Sequence, residues 1–165
     1  MNVFLAGRTI AVYAVVAYLL GGTPVIADVP GKPGTPDTSD KCPVCGMFVY
    51  KYPDWVSQVH FQGGSVLYFD GPKDMFKFMQ HPGTYSPDLH AENISTVLVT
   101  EYYDLALISA FDAWFVIGSD VYGPMGKELI PFARKQDAEA FMKDHKAKAI
   151  LTFDQVTPRI IDELE

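Results

Sequence analysis

Cysteine is nearly absent. Two occur among 165 residues, and both sit in the hexapeptide Cys42-Pro-Val-Cys-Gly-Met47. That scarcity excludes a multi-disulfide scaffold, and a Cys-x-x-Cys pair closes too small a loop to stabilise a fold much through chain entropy. No second Cys/His pair stands at ligand spacing, which removes zinc ribbons and fingers. Gly46, not His, follows the second Cys, which removes covalent haem attachment. Positive charge is also in short supply: 13 Lys and Arg against 20 Asp and Glu leave a net charge of −7, so no basic face is offered to nucleic acid. No Ser–His–Asp order, phosphate-binding glycine loop or clustered carboxylate pair stands out, and no enzyme activity is expected.

Charge is missing from the N-terminus as well. Arg8 is the only charged residue among the first 27. An apolar run follows it from Ile10 to Leu20, then Gly21-Gly22-Thr23-Pro24 and the small or apolar Val25-Ile26-Ala27. This order predicts a signal peptide over residues 1–27, cut after Ala27. The apolar run falls short of the roughly 20 residues that span a bilayer. The alternative is an uncleaved anchor from Phe4 to Leu20; either reading puts the folded part outside the cytoplasm. In that oxidising setting a Cys-x-x-Cys pair is better explained by redox or metal chemistry than by scaffolding.

What is present is an aromatic-rich chain, 13% Phe, Trp and Tyr, with 48% hydrophobic residues, enough for one core. Residues 28–41, with three prolines and little apolar content, predict a flexible linker. A first strand is expected from about Met47 to Lys51. Residues 55–61 alternate, Gln62-Gly63-Gly64 predicts a hairpin turn, and residues 65–69 return. Asp70-Gly71-Pro72 predicts a helix start with an Asp or Gly cap, and the helix runs to Gln80 with Met75, Phe76, Phe78 and Met79 on its apolar face. A strand is expected over residues 94–100. Then the order returns: Phe69, Asp74, Phe78 and Met79 recur at an offset of 63 as Phe132, Asp137, Phe141 and Met142, and Gly63 maps onto Gly126. Strands Trp114–Ser119 and Lys127–Phe132, a turn from Tyr122 to Gly126, a helix over 134–145 and a strand over 149–153 complete the second set. The fold class is therefore α+β: two small β-β-α-β units packed together, one over 42–104 and one over 105–155, followed by an acidic tail over 156–165 that is helical and partly frayed.

Three features carry chemistry. Thiolate and thioether are soft donors that suit Cu(I), and Cys42, Cys45 and Met47 all qualify. Met125 sits in the tight turn Gly123-Pro124-Met125-Gly126, an unusual place for a residue that normally fills core gaps. Met75, Met79 and Met142 fall on helix faces and read as core. His60, His81, His90 and His145 form no metal spacing, and Asp70 reads as a helix cap. Two alternatives to copper remain open: a thiol–disulfide protein acting through the pair, and a metal-free interaction module in which the pair is an oxidised clip.

The stretches 42–47 (CPVCGM), 68–79 (YFDGPKDMFKFM), 111–132 (FDAWFVIGSDVYGPMGKELIPF) and 137–142 (DAEAFM) resemble the NosL family, nitrous oxide reductase accessory proteins, over nearly all of residues 41–155. The resemblance implies a periplasmic Cu(I) chaperone that supplies the copper–sulfur centre of nitrous oxide reductase, on a fold similar to organomercurial lyase. It implies Cys45 and Met125 as the copper-linked residues, with Cys42 and Met47 as candidates to complete the site. Family members are commonly lipoproteins; residues 1–41 contain no Cys, so the expectation here is a free periplasmic protein or one held by its N-terminal helix.

Overall fold

The computed structural model describes residues 34–165; residues 1–27, read above as a signal peptide, and residues 28–33 of the expected linker lie outside the described residues. Among the described residues no helix is long and apolar enough to cross a membrane.

The first sheet is built from β1 (Ser57–Phe61), β2 (Val66–Phe69), β3 (Ile94–Thr100) and β4 (Leu107–Ser109), in the order β2-β1-β3-β4 and antiparallel throughout. Gly63 and Gly64 make the β1–β2 turn at φ +112° and +89°, backbone that favours glycine. Helix α1 (Pro72–Gln80) and the single turn α2 (Pro82–Tyr85) lie between β2 and β3. The second sheet comprises β5 (Trp114–Ile117), β8 (Ile130–Phe132) and β9 (Ala149–Thr152), in the order β8-β5-β9. The β5–β8 connection carries a two-stranded ribbon, β6 (Tyr122–Gly123) and β7 (Gly126–Lys127). Helix α3 (Lys135–Asp144) precedes β9, and α4 (Pro158–Glu163) closes the chain. In both sheets the first hairpin strand is central, between its hairpin mate and the strand that follows the helix. The two β-β-α-β units thus share one topology.

Period-two alternation joins them. Phe115 and Ile117 of β5 enter the main core beside Val59, Met75, Phe76 and Val97. Val116, between them, points the other way into a smaller core with Ile130, Phe132, Ala138 and Phe141 beneath α3. The second sheet is therefore covered on one face by its own helix and on the other by the first unit. Phe76 of α1 meets Phe115 edge-on, centroids 5.1 Å apart.

Three expectations need correction. The Met47–Lys51 strand is instead a 3-10 turn over Val49–Lys51, followed by another over Pro53–Trp55, with a single bridge between Lys41 and Phe48. Val49 alone of that run is buried, and Pro53 has no N–H for a ladder, so no pleated face forms. Residues 34–41, read as part of a linker, are pinned: the Gln58 amide donates to the Gly34 carbonyl at 2.8 Å and the Val49 N–H to the Asp40 carbonyl at 3.0 Å. The acidic tail is docked rather than frayed, because Val156, Ile161 and Leu164 are buried in the main core. Strand β4 was not foreseen; three half-buried residues carry too little pattern to announce it.

Candidate metal centre

The hexapeptide folds back on itself. The Cys42 N–H donates to the Met47 carbonyl and the Gly46 N–H to the Cys42 carbonyl, each at 2.8 Å. Gly46 adopts φ +78°, which a residue with a Cβ would resist. The closed loop sets both cysteines, which carry free thiols, against the start of α1. The Cys42 thiol donates to Asp74 Oδ2 and the Cys45 thiol to Asp70 Oδ1, each at 3.2 Å. The two sulfurs and one oxygen from each carboxylate lie within 4.8 Å of one another. Cys42, Asp70 and Asp74 are buried and Cys45 is half-buried.

Asp70 is not the cap that its position suggests. Gly71 is the N-cap of α1 and makes no side-chain cap bond. The Lys73 N–H is instead taken by Glu128 Oε1 of the second unit at 2.6 Å. With that donor satisfied from outside, Asp70 is left to the thiol, and its Oδ2 is buried without a hydrogen-bond partner among the described residues. Burial pushes the Glu128 carboxyl up to about 8, against the pull of the Leu129 and Lys73 amides.

The electrostatics favour protonated thiols. Burial raises the Cys42 thiol far above the ordinary range, and the neighbouring Asp74 and Asp70 charges add to it. Burial also pushes Cys45 up to about 12. The Asp74 carboxyl is raised by burial, with hydrogen bonds from both thiols opposing. A thiolate here would sit beside two carboxylates, a crowding of negative charge that a bound cation offsets, so the cluster favours metal binding over free nucleophilic reactivity. A thiol raised this far carries little thiolate at neutral pH. Alkylation by iodoacetamide at pH 7.5 is therefore expected to be far slower in the folded, reduced protein than in urea; equal rates would contradict the buried-thiol geometry.

Of the candidates read from sequence, Cys42 and Cys45 come together. Met47 is half-buried and anchors the loop through its carbonyl. Met125 lies at the β6–β7 tip, 44% exposed, and its carbonyl accepts from the Lys73 ammonium at 2.9 Å. Its turn is thus tied to the same end of α1 that carries Asp70 and Asp74. His60 is buried in β1 and bonded to Gln58 Oε1 at 2.8 Å, apart from the cluster. The carboxylates Asp70 and Asp74 were missed as a pair. Their signal is an Asp one turn from another at a helix start, with Asp74 on the same stripe as the buried Phe78.

Fold and cluster define a class: a two-sheet α+β domain with a thiol–carboxylate cluster, suited to hold a metal ion, at the N-terminal end of a helix. A family model described as NosL matches residues 33–161, and the chain belongs to the NosL family. It is 29% identical over 127 residues to the copper-binding lipoprotein NosL of Stutzerimonas stutzeri, a match covering 76% of this chain and 66% of that relative. The crystal structure of the copper chaperone NosL from Shewanella denitrificans superposes with a TM-score of 0.67 at 27% identity, covering 79% of this chain and 99% of that one.

Proposed function

We propose that this protein is a Cu(I) metallochaperone, not an enzyme, working in the periplasm and delivering copper for the copper–sulfur centre of nitrous oxide reductase. The observation that carries the reading is the pair of free thiols gathered with two carboxylates within 4.8 Å. Two of its relatives, named a copper-binding lipoprotein and a copper chaperone, support copper as the cargo. Thiolate and thioether softness favours the cuprous ion over harder, commoner cations. In this reading Cys45 and Met125 hold Cu(I), and Cys42 or Met47 completes the site. Asp70 and Asp74 hold the thiols in place and supply negative charge that draws the cation in. A site with few ligands, one a neutral thioether at an exposed tip, releases its metal by ligand exchange to an incoming thiolate or imidazole of the recipient. The signal segment exports the chain or tethers it at the membrane.

The raised thiols work against a thioredoxin-type role, which needs a depressed one. The cysteines also belong to a closed loop packed against the start of α1, rather than to the first turn of a helix of their own.

Replacing Met125 with Leu tests the reading. The exposed tip tolerates the change, so the melting temperature is expected to hold within a degree or two. Cu(I) affinity, measured without oxygen against a coloured chelator, is expected to fall about tenfold or more. Unchanged affinity removes Met125 from the site.

A further inference from the structure

Two buried ionisable side chains lie outside the donor set. Lys73 is 2% exposed and Glu128 is 3% exposed. They come from different units, and each contacts the other's backbone surroundings. Glu128 Oε1 accepts the Lys73 N–H at 2.6 Å and its neighbour Leu129's N–H at 2.9 Å. The Lys73 ammonium reaches back across the same junction to the Met125 carbonyl at 2.9 Å and the Leu164 carbonyl at 3.5 Å. Two glycines make the room. A Cβ at Gly71 would strike the Glu128 carboxylate, and one at Gly123 would come within 2.9 Å of Glu128 Cγ. One glycine is the α1 N-cap and the other belongs to the ribbon that carries Met125.

Burying ionisable side chains is an expensive way to join two elements; apolar residues of similar volume commonly do as well or better. The tie makes sense for what it holds. The ribbon has only two residue pairs of its own, Tyr122 with Lys127 and Gly123 with Gly126. A ribbon so short is marginal alone. A donor offered from a loose tip would lose freedom on binding metal, which weakens binding.

We infer that Lys73 and Glu128 are positioning residues for the metal site, fixing the Met125 turn against the helix end that carries Asp70 and Asp74. The inference rests on the proposed role of Met125. Glu128 places the ribbon through the first turn of α1, and Lys73 fixes the tip itself.

The test is a double-mutant cycle on the full, reduced chain. Anaerobic Cu(I) competition is measured for the wild type, Glu128→Leu, Lys73→Leu and Glu128→Gln, each alone and combined with Met125→Leu, alongside thermal melts. Glu128→Leu and Lys73→Leu are expected to weaken Cu(I) binding roughly 10- to 100-fold, the usual effect of losing a partner that orients a ligand. Glu128→Gln, which keeps an acceptor for the Lys73 N–H, is expected to restore most of that affinity. In the Met125→Leu background none of the three is expected to cost anything further. Equal losses with and without Met125 would overturn the inference, because the tie would then act on the fold alone. Backbone relaxation of the wild-type apo protein needs no variant: order parameters at Met125 and Gly126 near the rigid value of about 0.85 are expected, and values below about 0.6 overturn it. A wild type that binds no Cu(I) at all would instead sink the copper reading, a separate failure.

Discussion

Cys45→Ser is expected to weaken Cu(I) binding by more than about 100-fold, beyond the usual loss of a merely orienting partner. The hydroxyl that replaces the thiol is a hard donor and stays protonated at neutral pH, so the cuprous ion loses its anionic soft ligand. The fold is expected to survive, because Cys45 is half-buried and Ser still offers a donor to Asp70 Oδ1, which the thiol now meets at 3.2 Å. Affinity and stability therefore separate in this variant. The neighbouring Cys42→Ser behaves differently: Cys42 is 1% exposed within the main core, so a hydroxyl there also costs stability. Measuring both variants by chelator competition and by melting distinguishes donor loss from unfolding. Wild-type affinity in Cys45→Ser would remove the thiol from the centre.

Phe115→Ala is expected to cost about 3–5 kcal/mol of unfolding free energy. That is a large share of the roughly 5–15 kcal/mol a domain possesses. Phe115 is fully buried on the central strand of the second sheet, opposite Pro131 and Leu151, with its ring against Phe76 of α1. Its removal opens a void where the two units meet. The loss is therefore expected to be global: one cooperative transition at lower denaturant, with sheet and helix signals moving together. Two separated transitions, or a cost under about 1 kcal/mol, would show that the units do not share a core.

Much of this architecture is legible in the sequence. Helix α1 runs from Pro72 to Gln80 as its Asp-Gly-Pro start and His-Pro-Gly stop dictate. Strand β3 follows its β-branched run, and the glycines at 63 and 64 place the first turn. The recurrence of Phe69 and Phe78 as Phe132 and Phe141 marks equivalent positions in two units of one topology. What stayed hidden depends on contacts between distant segments. Asp70 looks like a cap from its neighbours alone; only Glu128, 58 positions later, frees it for Cys45. Asp74 sits on the buried stripe of α1, where a local reading sees a helix-start acid and the fold supplies a thiol instead. Glu128 heads an apolar run, and nothing nearby reveals that its partner is a backbone N–H of the other unit. The Met47–Lys51 segment failed for the opposite reason: its β-branched and aromatic residues promise a strand, but Phe48 alone pairs, in one bridge to Lys41, and Val49–Lys51 close a 3-10 turn.

The central claim is that the reduced chain takes up one Cu(I) through sulfur at the end of α1. The most direct measurement is an anaerobic titration of the reduced protein with Cu(I), followed by copper X-ray absorption of the one-equivalent adduct. The account predicts a single tight equivalent whose nearest shell is dominated by sulfur. No competition with the chelator, or a shell of oxygen and nitrogen alone, would contradict it.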